Sequence, residues 1–131
     1  MKTLNEYIEE AQTRAFDEAG AFFAFSKKQF DEKKQDGVKY VDMGYGLICP
    51  KEKVEWLVDE LDNIHKRGIE QDIKENGIKK IIHRELANYE TQISGDITEV
   101  INTLEPYGIT EDQIKKEYKE FYAECVKNDW F

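Results

Sequence analysis

Val38-Lys39-Tyr40-Val41-Asp42-Met43-Gly44-Tyr45-Gly46-Leu47-Ile48-Cys49 is the stretch on which the fold turns. Val38 to Met43 alternates like a half-buried strand. Gly44-Tyr45-Gly46 supplies turn chemistry, and Leu47-Ile48-Cys49 returns as a second apolar run, so a β-hairpin is expected here. Upstream, Ala21-Phe22-Phe23-Ala24-Phe25 is short, aromatic and uncharged, which reads as a buried third strand. Three short strands cannot enclose a core of their own, so helices must cover the sheet.

The helices announce themselves on both sides. Thr3-Leu4-Asn5-Glu6 is a capping box, with Leu4, Tyr7, Ile8, Ala11 and Ala15 as the stripe behind it and Gly20 as the stop. Ser26-Lys27-Lys28-Gln29 opens a short helix that Gly37 is expected to close. Pro50 suits a helix first turn, and Val54, Leu57, Val58, Leu61 and Ile64 recur at spacings of three and four, with Gly68 as the expected end. Helix is expected again from Ile69 to about Ile93, interrupted at Asn76-Gly77, with Ile78, Ile81, Ile82, Leu86 and Tyr89 on one face. A short helix starts near Asp96-Ile97-Thr98-Glu99 and ends before Pro106. The box Thr110-Glu111-Asp112-Gln113 opens a last helix to about Lys127, with Ile114, Tyr118, Phe121, Tyr122 and Cys125 apolar. The reading is α+β: a small three-stranded antiparallel sheet covered by helices, a helical C-terminal half, and one domain over 1–131.

The 131 residues carry 19 Lys+Arg against 28 Asp+Glu, a net charge of -9, so direct nucleic-acid binding is disfavoured and encounter with a basic surface favoured. Residues 51–131 hold most of this excess. No apolar run approaches membrane-spanning length, and the first residues lack the apolar core of a secretory signal. Two distant cysteines fit a reduced, cytoplasmic protein better than a disulfide framework.

No cofactor or metal motif stands out. Asp62-Asn63-Ile64-His65 has the spacing used in carboxylate-bridged bundles, but the second histidine, His83, has Lys80 three positions before it, so the matching half is missing. His65 is read instead as a side chain near a helix C-terminus. Cys49 beside Pro50 is the one nucleophile candidate, because a helix N-terminus can lower a thiol pKa; the other reading is a small buried strand residue. No phosphate-cradling loop is present. An enzyme is therefore not expected, with a Cys49 thiol enzyme as the alternative.

Two features suit protein recognition. Carboxylates line helix faces at Glu55, Asp59, Asp62 and at Glu70, Asp72, Glu75, either as ordinary solvated faces or as an imitation of a phosphate backbone. The last helix carries Tyr118 and Tyr122 among glutamates, and the closing Trp130-Phe131 either docks back or anchors a partner. Tyr118, Tyr122, Trp130, Phe131 and the six carboxylates are the candidate partner-binding residues. The partner expected is a protein with a basic surface, a nucleic-acid-binding enzyme above all, or a second copy forming a homodimer.

Ala21-Phe22-Phe23-Ala24-Phe25-Ser26-Lys27-Lys28-Gln29-Phe30, Gly37-Val38-Lys39-Tyr40, Cys49-Pro50-Lys51 and Arg84-Glu85-Leu86-Ala87-Asn88-Tyr89-Glu90 resemble a domain-of-unknown-function family of short proteins carried by bacteriophages and other mobile elements. Gly44-Tyr45-Gly46, Gly95-Asp96-Ile97 and Pro106-Tyr107-Gly108 follow the same pattern. The family offers no activity to transfer to named residues. What the resemblance implies is a genomic setting in which small proteins bind and inhibit host defence machinery, anti-CRISPR proteins among them.

Overall fold

The computed structural model describes residues 1–131. It contains seven α-helices: α1 Leu4–Ala19, α2 Lys27–Lys33, α3 Val54–Asn76, α4 Ile78–Asn88, α5 Thr91–Ser94, α6 Thr98–Leu104 and α7 Glu111–Asn128. The strands are β1 Phe22–Phe23, β2 Tyr40–Asp42 and β3 Leu47–Pro50, and short 3-10 turns fill Lys51–Lys53 and Glu105–Tyr107. The expected α+β class holds. The chain forms two compact units, Lys2–Gly68 and Ile69–Phe131, the latter together with Met1.

In the first unit β3 is the central strand, with β1 and β2 antiparallel on either side. The hairpin is the expected one, with Val41 opposite Cys49 and Asp42 opposite Ile48. Strand side chains alternate between faces, and each face meets different helices. On one face Phe22 and Tyr40 meet Phe30 of α2, with ring centroids 5.4–6.2 Å apart. On the other, Cys49 joins Ile8, Ala15 and Ala19 of α1 and Leu57 and Ile64 of α3 in an apolar core. The Asp42 carboxylate accepts from the Gly44 N–H at 2.8 Å, and Tyr45 at the turn's tip takes a positive φ of 55°.

The caps follow the sequence closely. Thr3 accepts from the Glu6 N–H, Ser26 from Gln29, and Thr110 from Gln113, whose side chain accepts in return from the Thr110 N–H at 2.8 Å. Gly20 ends α1 in the left-handed conformation, as expected.

Several expectations are corrected. Gly68 does not stop a helix; α3 runs through it to Asn76. A Cβ at Gly68 would collide with Ile8 Cγ2, so the glycine serves close packing against α1 rather than termination. His65 consequently sits within α3 instead of near its end, and Asp62 pairs with Lys66 at 3.0 Å. Helix α2 ends at Lys33, where Lys34 turns extended, before Gly37 is reached. Pro50 closes β3, paired with Tyr40, and α3 starts only at Val54. Val58, assigned to the apolar stripe, is 50% exposed. The buried strand expected over 21–25 shrinks to Phe22–Phe23 and is not buried, with Phe23 at 42% and Phe25 at 73% exposure.

The second unit is helical. α4 buries Ile81, Ile82 and Leu86, α6 buries Val100 and Leu104, and α7 buries Ile114, Phe121 and Cys125. The break at Gly77 is where it was expected, with φ 79°. The helix beyond it ends at Asn88, and the four-residue α5 is separate. Thr91 is fully buried, and its hydroxyl donates to the Leu86 carbonyl at 2.9 Å.

Candidate functional site

Successive helix residues turn by about 100° and rise about 1.5 Å, so positions i, i+4 and i+7 fall within a narrow stripe roughly 10 Å long. Glu55, Asp59 and Asp62 of α3 occupy such positions, and all three are exposed. Glu55 and Asp59 make no ion pair; Asp62 pairs only with Lys66, itself largely in solvent. Apolar side chains flank the stripe: Val58 on one side and Trp56, 37% exposed, on the other. The Lys53 ammonium lies 6.0 Å from the Trp56 ring centroid. The result is an acidic face with two apolar contacts within it.

Glu70, Asp72 and Glu75 do not form a second such face. A spacing of two turns Asp72 about 200° away from Glu70. Glu70 and Glu75 are exposed, whereas Asp72 is fully buried. Arg84 of α4 meets its carboxylate with two N–H groups, each at 2.9 Å, the bidentate geometry that suits guanidinium to carboxylate. The Tyr107 hydroxyl donates to it at 2.6 Å and Asn76 at 2.8 Å, while Arg84 Nε donates to Glu85 at 2.9 Å. Burial pushes the Asp72 carboxyl up, but the bonds from Arg84, Tyr107 and Asn76 outweigh it and leave the pKa below the ordinary aspartate value. Burial, with the Asp72 carboxylate beside it, raises the Tyr107 phenol. Asp72 is thus a structural ion-pair partner and is removed from any contact surface.

The closing aromatics dock in part. Asp129 takes the left-handed conformation, which brings the Trp130 N–H to the Cys125 carbonyl at 3.0 Å. The Trp130 carbonyl accepts from Gln92 at 3.0 Å, and Phe131 stands edge-on to Tyr122, 5.9 Å between centroids. Trp130 and Phe131 remain mostly in solvent, at 53% and 59% exposure, and Tyr122 is 43% exposed. Tyr118 is half-buried and donates to the Thr91 carbonyl at 3.2 Å.

Beside Trp130 lies a cleft of about 450 Å³, lined by Lys79, His83 and Arg84 of α4 and by Glu120 and Phe121 of α7. At its edge His83 Nε2 and Glu117 Oε2 are 2.8 Å apart, and Lys79 donates to Glu120 at 2.7 Å. The bond to Glu120 raises the Lys79 pKa, and the same bond lowers that of Glu120. Sequence reasoning missed this group. The only advance signal was that Lys79-His83 and Glu117-Glu120 each sit one turn apart on the flank of an apolar stripe.

Cys49 is fully buried within β3, and burial pushes its thiol pKa up, the opposite of what nucleophile activation requires. Its sulfur approaches the Pro50 carbonyl at 3.4 Å, and it belongs to the apolar core.

Residues 4–124 match the model of a family of unknown function, DUF7659. The chain belongs to this family. No curated protein and no solved structure matches it. As a DUF7659 member the chain inherits a family but no assigned chemistry, so the reading of function rests on its own surfaces. No helix is long and apolar enough to cross a membrane.

Proposed function

We propose that this chain is a non-enzymatic protein-binding protein whose contact surface is the acidic face of α3. The observation that carries the reading is the row Glu55, Asp59 and Asp62, exposed along one stripe and flanked by the exposed apolar side chains Trp56 and Val58. Carboxylates steer a basic partner into encounter, and a desolvated tryptophan supplies contact energy at close range. A partner complementary to this face has a basic surface with an apolar recess, the kind of surface a nucleic-acid-binding enzyme turns towards phosphates. The resemblance to short proteins of bacteriophages and mobile elements favours an inhibitor or modulator of host nucleic-acid-processing or defence enzymes, of the anti-CRISPR kind, acting in the cytoplasm. The net charge of -9 supports a protein partner over nucleic acid itself.

A second reading, self-association into a homodimer, is supported by Tyr122, Val126, Trp130 and Phe131, all exposed on or just beyond α7. Sedimentation at rising protein concentration separates the two readings, since a chain that stays monomeric at high micromolar concentration loses the second.

The proposal is tested by affinity capture from a bacterial lysate with the wild type and with the combined variant Glu55→Lys, Asp59→Lys, Asp62→Lys. The expected result is one near-stoichiometric nucleic-acid-binding protein that the wild type retains and the variant loses while remaining folded by circular dichroism. Retention of the same proteins by both chains would overturn the assignment of the face.

A further inference from the structure

We propose that His83, Glu117 and Glu120 form a binding site for a divalent transition-metal ion, with zinc the ion they suit best. One imidazole and two carboxylates, contributed by α4 and α7, place their ligand atoms all within 4.8 Å of one another. A tetrahedral ion bound at about 2.1 Å holds its donors roughly 3.4 Å apart. The His83–Glu117 separation of 2.8 Å and the 4.8 Å within which all three ligand atoms lie bracket that value. Glu117 and Glu120 are one helical turn apart, so both carboxylates project to the same side of α7.

The site has features that a chance surface cluster lacks. His83 and Glu117 are less than one-fifth exposed. The His83 ring stands edge-on to Phe121, 6.0 Å between centroids at 88°, and Phe121 is buried, so the imidazole's plane is held by the core. The adjoining cleft leaves room for a water molecule as a fourth ligand, as in zinc sites with three protein donors. A neutral imidazole and two carboxylates match the charge of a divalent ion, and the nitrogen donor favours zinc over calcium or magnesium, which prefer all-oxygen shells.

Lys79 is the competitor. Its ammonium holds Glu120 at 2.7 Å and must swing away before Glu120 can ligate. Both side chains are about half exposed or more, so the pair contributes little to stability and breaks readily. The lysine therefore sets the affinity of the site without belonging to it.

Calorimetric titration of the full, metal-free chain with zinc chloride tests the proposal, with cobalt(II) as a spectroscopic substitute whose visible absorption reports low coordination. The expected result is one ion per chain. His83→Ala and Glu120→Gln should each weaken binding by about tenfold or more, and Lys79→Ala should tighten it. Glu120 is exposed, so its variant keeps the test valid even if His83→Ala disturbs packing against Phe121. Absence of saturable binding, binding indifferent to Glu120→Gln, or an affinity that Lys79→Ala leaves unchanged would each overturn the site.

Discussion

Helix α3 carries two carboxylate triplets, and they meet opposite fates. Glu55, Asp59 and Asp62 recur at four and three residues and stay together in solvent. Glu70, Asp72 and Glu75 recur at two and three, and the middle one goes into the core, onto Arg84, Tyr107 and Asn76. Composition is nearly the same in both, so spacing decides. A step of two on a helix crosses to the other side, where a carboxylate survives only if several donors replace water. The first triplet is available for binding. The second contributes one residue to architecture and leaves two on the surface.

The sharpest way to break this comparison is to remove a carboxylate from each triplet. Asp72→Ala leaves the Arg84 guanidinium buried without its main partner, and unfolding in denaturant should show a loss of about 3–5 kcal/mol. A cost under 1 kcal/mol would mean that Asp72 is not the structural residue described here.

Acid titration sharpens the same point. The folded-state pKa of Asp72 is lowered, so its stabilisation is present above the ordinary aspartate value of about 4 and is lost as pH falls through the folded value. The stability gap between wild type and Asp72→Asn should therefore narrow below about pH 4. A gap that stays constant down to pH 2 would show that ionisation is not the source.

A smaller effect is expected at Gly68. Alanine there gains up to about 1 kcal/mol of helix propensity but collides with Ile8, an overpacking cost of about 1–3 kcal/mol. Thermal unfolding should show net destabilisation, whereas a stabilised variant would restore the view that Gly68 has no packing role. The smallest effect belongs to Asp59→Ala, which should change stability by no more than about 0.5 kcal/mol, because Asp59 is exposed and makes no ion pair.

What was legible in the sequence was local. The N-caps at Thr3 and Ser26, the full capping box at Thr110, the hairpin around Gly44-Tyr45-Gly46 and the break at Gly77 each depend on residues within a few positions of one another. What was not legible depends on a partner elsewhere in the chain. Gly68 reads as a stop until Ile8 of α1 is seen against it. Cys49 reads as a helix-terminal thiol until Pro50 is found pairing with Tyr40 in the sheet. The burial of Asp72 needs Arg84 and Tyr107, and the His83–Glu117–Glu120 group needs α7 beside α4. At the acidic face the sequence located the three carboxylates by periodicity. It missed Val58 as a surface residue, because an apolar side chain at helical spacing is ordinarily core.

The measurement that bears most directly on the proposed role of α3 is the association rate of the captured partner across a salt series. If Glu55, Asp59 and Asp62 steer the encounter, the rate should fall steeply as ionic strength rises, and the triple lysine variant should lose both the rate and most of its salt dependence. An association rate indifferent to salt, or one that the triple variant leaves unchanged, would contradict the account.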